Sequence, residues 1–340
     1  MATRTQKAVQ VVQLTADPEE NLRLVHDAPV AIPEEGKVLV NMLVRPVNPV
    51  DIYGLMSHDP DAKLDRPKVP GYEGVGKVAV LGPGTSGFAV GDRVVSMSPW
   101  LSTYAGQGTW QQFVVFPEAD LLKVPDGVSD SDAAQFLINP ATALGLFKTL
   151  AVPKGEWLLQ TAAGSVLGRL MIAIAKRAGV KTINVVRRSE QAAELLKLGA
   201  DVVIGTDEED MAERVKDVTG GKGVYGATDA VAGKTTGEIV SLLRPHGTVL
   251  LYGALAGWDI TVPVGPLLME RRRVEGFGLF DWLPSLGPEG ARAALDELWS
   301  LFLDGTIKPY SGESYPLEKA AEAVKASLQD ARGPKILLVG

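Results

Sequence analysis

The chain has 340 residues, 46% of them hydrophobic, and a formal net charge of −7. This length allows two hydrophobic cores, no apolar run approaches the roughly 18 residues of a membrane span, and the negative charge gives no basic surface for a nucleic-acid backbone. The absence of cysteine excludes disulfides, thiolate chemistry and cysteine-based zinc sites.

The three histidines, His26, His58 and His246, are scattered along the chain without metal-ligand spacing, so no metal site is predicted. The first residues, MATRTQKAVQVVQL, lack the apolar core of a signal peptide. We therefore expect a cytoplasmic two-domain protein that binds neither a membrane nor a nucleic acid.

The first third of the chain has the pattern of an antiparallel β domain. Alternating segments at 8–12 and 38–44 predict strands, and closely spaced glycines and valines over 71–97 predict short, bent strands. A further strand is predicted over 108–115. Helix signals then begin, with a polar cap at 131–134 and a helix starting near 139.

The most informative stretch runs from Trp157 to Ser189 and predicts a βαβ unit. Residues 157–161 predict a strand, 162–168 form a small-residue turn, and the apolar spacing after the turn predicts a helix that stops at Gly179. A second strand is predicted over 182–186. The two strands should be parallel, with a right-handed crossover between them.

The turn is suited to a dinucleotide. Its small side chains let a ligand approach the backbone, and the N–H groups at the start of the helix favour a pyrophosphate. The pattern is degenerate, because Ala163, Ser165 and Gly168 stand where the dinucleotide fingerprint has three glycines. The turn residues predicted to bind the cofactor are Ala163, Gly164, Ser165, Val166, Leu167 and Gly168.

The end of the second strand distinguishes between cofactors. An NAD site usually has Asp or Glu about 20 residues after the turn, but here that place holds Arg187, followed by Arg188 and Ser189. Two guanidinium groups and a hydroxyl suit a 2′-phosphate, which predicts NADPH as the cofactor. The alternative is that the arginines are surface charges at a strand end.

The rest of the chain alternates helices and strands, which predicts a doubly wound parallel sheet. After a helix over 191–198, the predicted strands are 201–204, 224–231, 248–252 and 274–279. The last stretch, with helices over 291–303 and 317–328 and a strand over 335–339, is expected to return to the first domain. The predicted domains are thus 1–138 with 300–340, and 139–299.

Taken together, several segments resemble the zinc-free branch of the medium-chain dehydrogenase/reductase superfamily. They are VNPVDIY (47–53), PGYEGVG (70–76), VGDRV (90–94), GTW (108–110), NPATAL (139–144), AAGSVLG (162–168), TINVVRR (182–188) and LLYGAL (250–255). The resemblance implies an α/β protein with a GroES-like β domain, a Rossmann domain and an active site in the cleft between them. It also implies a homodimer formed through Rossmann edge strands.

The zinc ligands of related alcohol dehydrogenases are replaced here. Where those enzymes have a cysteine, this chain has Asn48, and where they have a histidine after a glycine, it has Tyr72. The resemblance therefore implies chemistry without zinc.

Two zinc-free subfamilies are similar to the chain. Four segments resemble mitochondrial-type 2-enoyl thioester reductases, namely GTW, NPATAL, TINVVRR and GFGLFDW (276–282). One segment, NPVDIY, resembles quinone oxidoreductases, and Tyr53 stands where those enzymes carry a tyrosine. The thioester reductases carry another tyrosine in the segment that here is Met56–Pro60, which contains none. The identity of the proton donor therefore stays open.

The resemblance also implies site residues outside the turn. Tyr53 is the first catalytic candidate, since a phenol can donate a hydrogen bond to an oxyanion at neutral pH; the alternative is a tyrosine packed at a domain edge. Asn48 and Asp51 are further catalytic candidates, although Asp51 is more typical of a side chain that accepts bonds from loop backbone. Further cofactor candidates are Thr142, Tyr252, Gly253, Ala254, Phe277, Gly278 and Lys335, with a solvated lysine as the alternative for Lys335.

These features predict an NADPH-dependent reductase of α,β-unsaturated carbonyl compounds, with enoyl thioesters or small enones as substrates. The first alternative is an NADPH:quinone oxidoreductase that uses the same site. The second is a sensor or structural protein that binds NADPH without turnover.

Overall fold

The computed structural model describes residues 4–57, 59, 61–97, 107–329 and 333–340. The strands are β1 (Thr5–Val11), β2 (Leu22–Pro29), β3 (Lys37–Pro46), β4 (Val75–Leu81), β5 (Arg93–Ser96), β6 (Phe113–Pro117), β7 (Leu121–Lys123), β8 (Trp157–Gln160), β9 (Lys181–Val186), β10 (Val202–Gly205), β11 (Val224–Asp229), β12 (Leu243–Leu251), β13 (Arg273–Gly276), β14 (Ser311–Pro316) and β15 (Lys335–Val339). The helices are α1 (Pro49–Tyr53), α2 (Asp130–Ala134), α3 (Ile138–Leu150), α4 (Val166–Ala178), α5 (Ala192–Leu198), α6 (Met211–Thr219), α7 (Gly233–Leu242), α8 (Val264–Glu270), α9 (Leu279–Ser285), α10 (Gly287–Leu303) and α11 (Ala320–Gln329).

The chain forms two compact units. Unit 1 comprises Met1–Ile138 and Pro309–Gly340, and unit 2 comprises Asn139–Lys308. Among the described residues, no helix is both long and apolar enough to cross a bilayer.

Unit 1 is a mainly antiparallel β structure. Its larger sheet has the order β14-β15-β3-β4-β5-β7, with β6 also paired to β3, and β1 and β2 form a separate ribbon. Alternate residues of β3, such as Val38, Val40 and Met42, are buried together with Val78 of β4. This burial follows from the period of two in the sequence, which puts one apolar face of each strand into the core.

Unit 2 is a doubly wound α/β structure, as the sequence predicted. Its six strands have the order β10-β9-β8-β11-β12-β13, and all five pairings are parallel. The central strands are covered on both faces, which explains their near-continuous apolar sequence. Helix α4 buries Leu170, Met171 and Ile174, and it ends at Gly179, whose φ of +71° is the left-handed conformation that glycine adopts freely.

The predicted strand over 108–115 begins later than expected, at Phe113. The reason is Arg45, a fully buried side chain on β3 that donates to the carbonyl oxygens of Thr109 (2.9 Å) and Gln111 (2.6 Å). Those carbonyls are therefore directed at a guanidinium instead of a neighbouring strand, and Trp110 between them is buried in the core. Burial lowers the pKa of Arg45 to about 9, so it stays charged at neutral pH.

The predicted strand over 274–279 is also shorter than expected. Its last ladder bond runs from the Phe277 N–H to the Leu251 carbonyl, 2.7 Å, and Gly278 already precedes helix α9. Similarly, the predicted strand over 224–231 ends at Asp229, because the Asp229 carboxylate accepts the Val231 N–H and turns the chain there.

The second domain boundary lies later in the chain than the predicted 299/300. Helix α10 continues to Leu303 and buries Leu295 and Leu298 within unit 2. The two residues Asp304 and Thr306 both accept from Arg177 of helix α4, so the chain remains part of unit 2 until Lys308.

Candidate functional site

The candidate residues of unit 2 lie mostly along one edge of its sheet. Because all six strands are parallel, their carboxyl ends share that edge. Strand order reverses between β8 and β11, where open α/β sheets bind ligands. The segments that follow five of these strands are 161–168, 187–189, 230–233, 252–254 and 277–278.

The turn after β8 presents a helix N-terminus at this edge. Ser165 caps helix α4 by accepting the Gly168 N–H on its hydroxyl, 3.1 Å. The N–H groups of Val166 and Leu167, between the cap and Gly168, have no acceptor among the described residues. This is the usual state of a helix N-terminus that is open to an anion. Ala162 has a φ of +49°, an uncommon conformation for a residue with a side chain.

Gly168 allows the helix to pack closely against the turn. A Cβ at this position would lie 2.5 Å from the Ala163 carbonyl oxygen and 2.7 Å from its carbonyl carbon. A Cβ at Gly164 would meet only the side-chain amide of Gln191, at 3.0 Å. Gly168 is therefore required because backbone atoms lie against it, whereas Gly164 faces a side chain that can move.

The three residues after β9 differ in what they can offer to a phosphate. Arg187 is exposed and makes no ion pair with a described residue. Arg188 pairs with Glu190 at 3.1 Å, and the Ser189 N–H donates to both carboxylate oxygens of Asp207, at 2.9 and 3.2 Å. Of these groups, the exposed Arg187 guanidinium is thus not engaged in an ion pair with a described residue, whereas Arg188 is paired.

Sequence reasoning missed a buried polar network at the end of β11. The Asp229 carboxylate accepts the hydroxyls of Thr161 (2.7 Å) and Thr236 (2.8 Å), and the Val231 N–H. It thereby joins the ends of β8 and β11 and holds Ala232 at a φ of +64°. An Asp followed by small residues at a strand end is the only sequence signal for it.

The Tyr252 hydroxyl, at the end of β12, is buried. Its oxygen is buried without a hydrogen-bond partner in the described part of the chain. Burial and the charge of Asp229 raise the pKa of this phenol above its usual value. Gly253 lies so close to Ala230 that a Cβ would be 2.9 Å from its carbonyl oxygen.

Thr142 belongs to helix α3, which packs against the segment that follows β13. One turn further on, Gly145 packs against Phe277 and Trp282, where a Cβ would lie 2.6 and 2.8 Å from the two rings. The two rings are 6.1 Å apart. The helix that carries Thr142 is therefore fixed against the segment that follows β13.

The catalytic candidates all belong to unit 1 and surround helix α1. Asn48 is the N-cap, and its N–H donates to the Asp51 carboxylate at 2.7 Å; the other Asp51 oxygen accepts the Tyr72 N–H at 3.0 Å. Asn48 and Asp51 are fully buried, whereas Tyr53 at the end of α1 is 49% exposed. Of the three candidates, Tyr53 is thus the one that solvent reaches, and the other two support its helix.

Glu73 was not anticipated from the sequence, although it is central to this cluster. One carboxylate oxygen accepts the Asn48 side-chain amide at 2.8 Å, and the other accepts the N–H groups of Leu137 and Ile138 at 2.9 Å each. Burial raises the pKa of Glu73, and for Asp51 burial raises it to about 7. The carboxylates hold together three segments of unit 1 that are distant in sequence.

Lys335, predicted as a cofactor contact with a solvated lysine as the alternative, is not solvated. It is only 7% exposed, on strand β15 between β14 and β3. Burial lowers the pKa of its ammonium, while the charges of Glu73 and Asp51 act in the opposite direction. The lysine is therefore the counter-charge of two buried carboxylates in unit 1.

A separate cavity of about 240 Å³ opens toward the amino ends of β11, β12 and β13. Its lining includes Tyr225, Arg244 and Arg273, and the Arg244 guanidinium stacks on the Tyr225 ring at 3.6 Å. Because it lies toward the other edge of the sheet, it does not contribute to the candidate site.

Both units match known families. Residues 34–126 match the alcohol dehydrogenase GroES-like domain, and residues 166–299 match the family described as zinc-binding dehydrogenase.

Individual relatives are similar over nearly the whole chain. The mitochondrial enoyl-[acyl-carrier-protein] reductase of Caenorhabditis elegans is 32% identical over 302 residues, covering 87% of this chain and 84% of that protein. The protein of the same name from Xenopus tropicalis is 33% identical over 340 residues, covering 95% and 91%. The Escherichia coli quinone oxidoreductase complexed with NADPH has a TM-score of 0.84 at 27% identity, covering 98% of this chain and 100% of that chain.

Zinc does not fit the residues present. The Asn48 side-chain nitrogen is a donor that is already bound to Glu73, and the other position of a zinc ligand holds Tyr72. In the part of the chain that the structure describes, no three His, Cys, Asp or Glu side chains are grouped so that they could hold a metal ion.

Proposed function

Because the chain belongs to the medium-chain dehydrogenase/reductase superfamily, in its zinc-independent branch, we propose that it is an NADPH-dependent reductase of activated C=C bonds. The acceptors are α,β-unsaturated carbonyl compounds, namely enoyl thioesters or small enones. The observation that carries the proposal is the open N-terminus of helix α4 after β8 together with the exposed Arg187 after the adjacent parallel strand β9. The two similar enoyl reductases support the reaction class.

The residues of unit 2 fit the phosphates of the cofactor. The N–H groups of Val166 and Leu167, with the helix dipole behind them, would hold the pyrophosphate. Arg187 and the Ser189 hydroxyl would hold the 2′-phosphate, since a guanidinium binds phosphate oxygens in pairs. The backbone of 252–254 and the Thr142 hydroxyl would orient the nicotinamide end. Bound NADPH supplies a hydride for the β-carbon of the acceptor.

The acceptor also needs polarisation of its carbonyl and a proton at the α-carbon. Tyr53 is the candidate for hydrogen-bond donation to the carbonyl oxygen, because it combines a phenol with solvent exposure at the end of α1. Asp51 and Asn48 hold that helix through its cap and act as positioning residues. No step requires a metal.

The reaction class is tested by an acceptor screen with NADPH consumption as the readout. Crotonyl thioester and cyclohexenone should oxidise NADPH faster than 1,4-benzoquinone. Preference for benzoquinone would instead establish the quinone oxidoreductase alternative, which the likeness to the Escherichia coli enzyme favours. Stable binding of NADPH without turnover of any acceptor would establish a sensor.

Replacement of Tyr53 by phenylalanine should lower kcat for the preferred acceptor about 100-fold and leave the Kd of NADPH unchanged, because only the phenol oxygen is removed. Steady-state kinetics and fluorescence titration measure the two quantities. Tyr315→Phe, another hydroxyl deletion in unit 1, is the matched control and should retain full activity. An unchanged kcat in Tyr53→Phe would exclude the phenol as the donor.

The cofactor assignment predicts that Arg187→Ala weakens NADPH about tenfold to 100-fold and changes NADH by less than twofold, because only NADPH has the 2′-phosphate. Arg188→Ala is the matched control and should cost less, since Arg188 is already paired with Glu190. Isothermal calorimetry with both nucleotides measures the difference. Equal losses for NADPH and NADH would contradict the phosphate role.

We also propose that the protein is a homodimer formed through strand β13. This strand is at the edge of the sheet, and the preceding helix α8 carries Val264, Leu268 and Met269, which are 71%, 73% and 79% exposed. An open strand edge next to an apolar patch is typical of an interface. Sedimentation equilibrium should give about twice the chain mass of 36.1 kDa, and a monomer would refute the proposal.

A further inference from the structure

The guanidinium of Arg169 connects three parts of unit 2. Its Nε donates to the Gly164 carbonyl at 3.1 Å, and its two terminal nitrogens donate to the two carboxylate oxygens of Glu194, each at 2.7 Å. The side chain is 10% exposed, so the bidentate pair is largely shielded on the arginine side. This is the geometry of a strong, orientation-specific ion pair.

The bond to Gly164 fixes the orientation of a peptide group in the pyrophosphate turn. The carbonyl of Gly164 and the N–H of Ser165 belong to the same planar unit, and that N–H donates to the Ala162 carbonyl at 2.9 Å. With both ends held, Ser165 is kept in place as the cap of helix α4. The N–H groups of Val166 and Leu167 therefore keep a constant direction.

The bond to Glu194 extends the same support to the segment that carries Arg187. Glu194 is in the first turn of helix α5, and a short 3-10 turn, Ser189–Gln191, leads into that helix from Arg188. The ion pair thus fixes helix α5 against the turn, and the 187–189 segment that leads into this helix is supported with it.

We infer that Arg169 and Glu194 are a positioning pair that sets the distance between the pyrophosphate turn and the 2′-phosphate site, and so determines specificity for NADPH. The inference rests on the proposed function. The pair does not bind the cofactor. When Glu194 alone is replaced, the Arg169 bond to Gly164 remains and the pyrophosphate donors keep their direction, whereas helix α5 and the 187–189 segment that leads into it lose their support. Replacement of Glu194 therefore weakens NADPH more than NADH, and replacement of Arg169 weakens both.

The test uses Arg169→Gln and Glu194→Gln in the full chain, with fluorescence titration of NADPH and NADH. Glu194→Gln should raise the Kd of NADPH about tenfold and the Kd of NADH less than threefold, with kcat at saturating NADPH within twofold of wild type. Arg169→Gln should weaken NADH as well, because it also removes the bond to Gly164. Arg177→Gln, which removes the ion pair of the same helix with Asp304, is the matched control and should change neither Kd. The exchanged pair Arg169→Glu with Glu194→Arg should recover part of the NADPH affinity.

Three outcomes would overturn the inference. NADPH affinity could be unchanged in both single variants, or NADPH and NADH could weaken equally in Glu194→Gln, which would indicate a purely structural role. If wild-type protein bound neither nucleotide, the cofactor assignment would fail and the inference with it. If wild-type protein binds NADPH normally and either of the first two results is found, the inference fails but the cofactor assignment stands.

Discussion

Replacement of Gly168 by alanine is expected to weaken NADPH binding at least 100-fold. Alanine has the higher intrinsic helix propensity, by about 1 kcal/mol, so propensity alone would predict a more stable helix α4. The new Cβ, however, would lie 2.5 Å from the Ala163 carbonyl oxygen, a backbone atom that cannot rotate away. Overpacking of this kind costs about 1–3 kcal/mol and displaces the helix start from the turn.

The displacement acts on the groups that would hold the pyrophosphate. The N–H groups of Val166 and Leu167 belong to the first turn of helix α4 and move with it. Hydrogen bonds to a phosphate depend steeply on distance and angle, so a shift approaching 1 Å removes most of their contribution. We therefore expect a loss of affinity that is larger than the loss of stability.

Gly164→Ala is the control for this experiment. Its Cβ would meet the amide end of Gln191 at 3.0 Å, and that side chain can rotate, so NADPH affinity should change less than threefold. Fluorescence titration gives the affinities, and calorimetry gives the Tm of each variant. Wild-type affinity in Gly168→Ala would show that the turn does not bind the pyrophosphate.

The local features of unit 2 could be predicted from the sequence because they depend on short-range patterns. The strand at 182–186 and the stop at Gly179 are each determined by neighbouring residues and backbone preferences. The parallel order of the strands follows from alternating helices and strands.

The cluster around Asp51 could not be predicted, because its partners are far apart in sequence. Glu73 contacts Asn48 and Leu137, which are 25 and 64 positions away, and Lys335 comes from the last strand. Nothing in the neighbourhood of Glu73 or Lys335 indicates burial. A lysine near the chain end is usually solvated, but pairing of β15 with β3 buries Lys335.

Sequence reasoning also could not show that a predicted phosphate-binding residue, Ser189, already has a bond to a carboxylate. Ser189 and Asp207 are 18 positions apart, and the packing of the β9 and β10 ends brings them together. The sequence shows a hydroxyl after two arginines, but only the fold shows that its N–H is already bound.

Raising the pH from 5 to 8 is expected to destabilise the wild-type protein through the buried cluster, and Asp51→Asn should remove much of this decline. Two carboxylates and one ammonium are buried together, so full ionisation leaves an excess negative charge that one proton neutralises. Burial raises the pKa of Asp51 to about 7 in the folded protein. In the unfolded chain the same carboxyl ionises near its ordinary value of about 4.

The sign of the effect follows from proton binding. Between about pH 4 and pH 7 the folded protein holds a proton that the unfolded chain has released, so the free energy of unfolding falls as pH rises, by up to about 1.4 kcal/mol per pH unit. Above pH 7 both states have lost this proton, and the decline ends. The raised pKa of Glu73 acts in the same direction.

The Asp51→Asn variant has no titrating group at position 51. The amide that replaces the carboxyl has one oxygen, so it can accept only one of the N–H groups of Asn48 and Tyr72. The variant should therefore be less stable than wild type at pH 5, by about 2 kcal/mol, and the difference should shrink toward pH 8. Urea unfolding at pH 5, 6, 7 and 8 measures both curves, and groups common to the two proteins cancel in the difference. Asp27→Asn, an exposed acid in the same unit, is the control and should run parallel to wild type. A constant gap between wild type and Asp51→Asn would mean that Asp51 is ionised throughout this range.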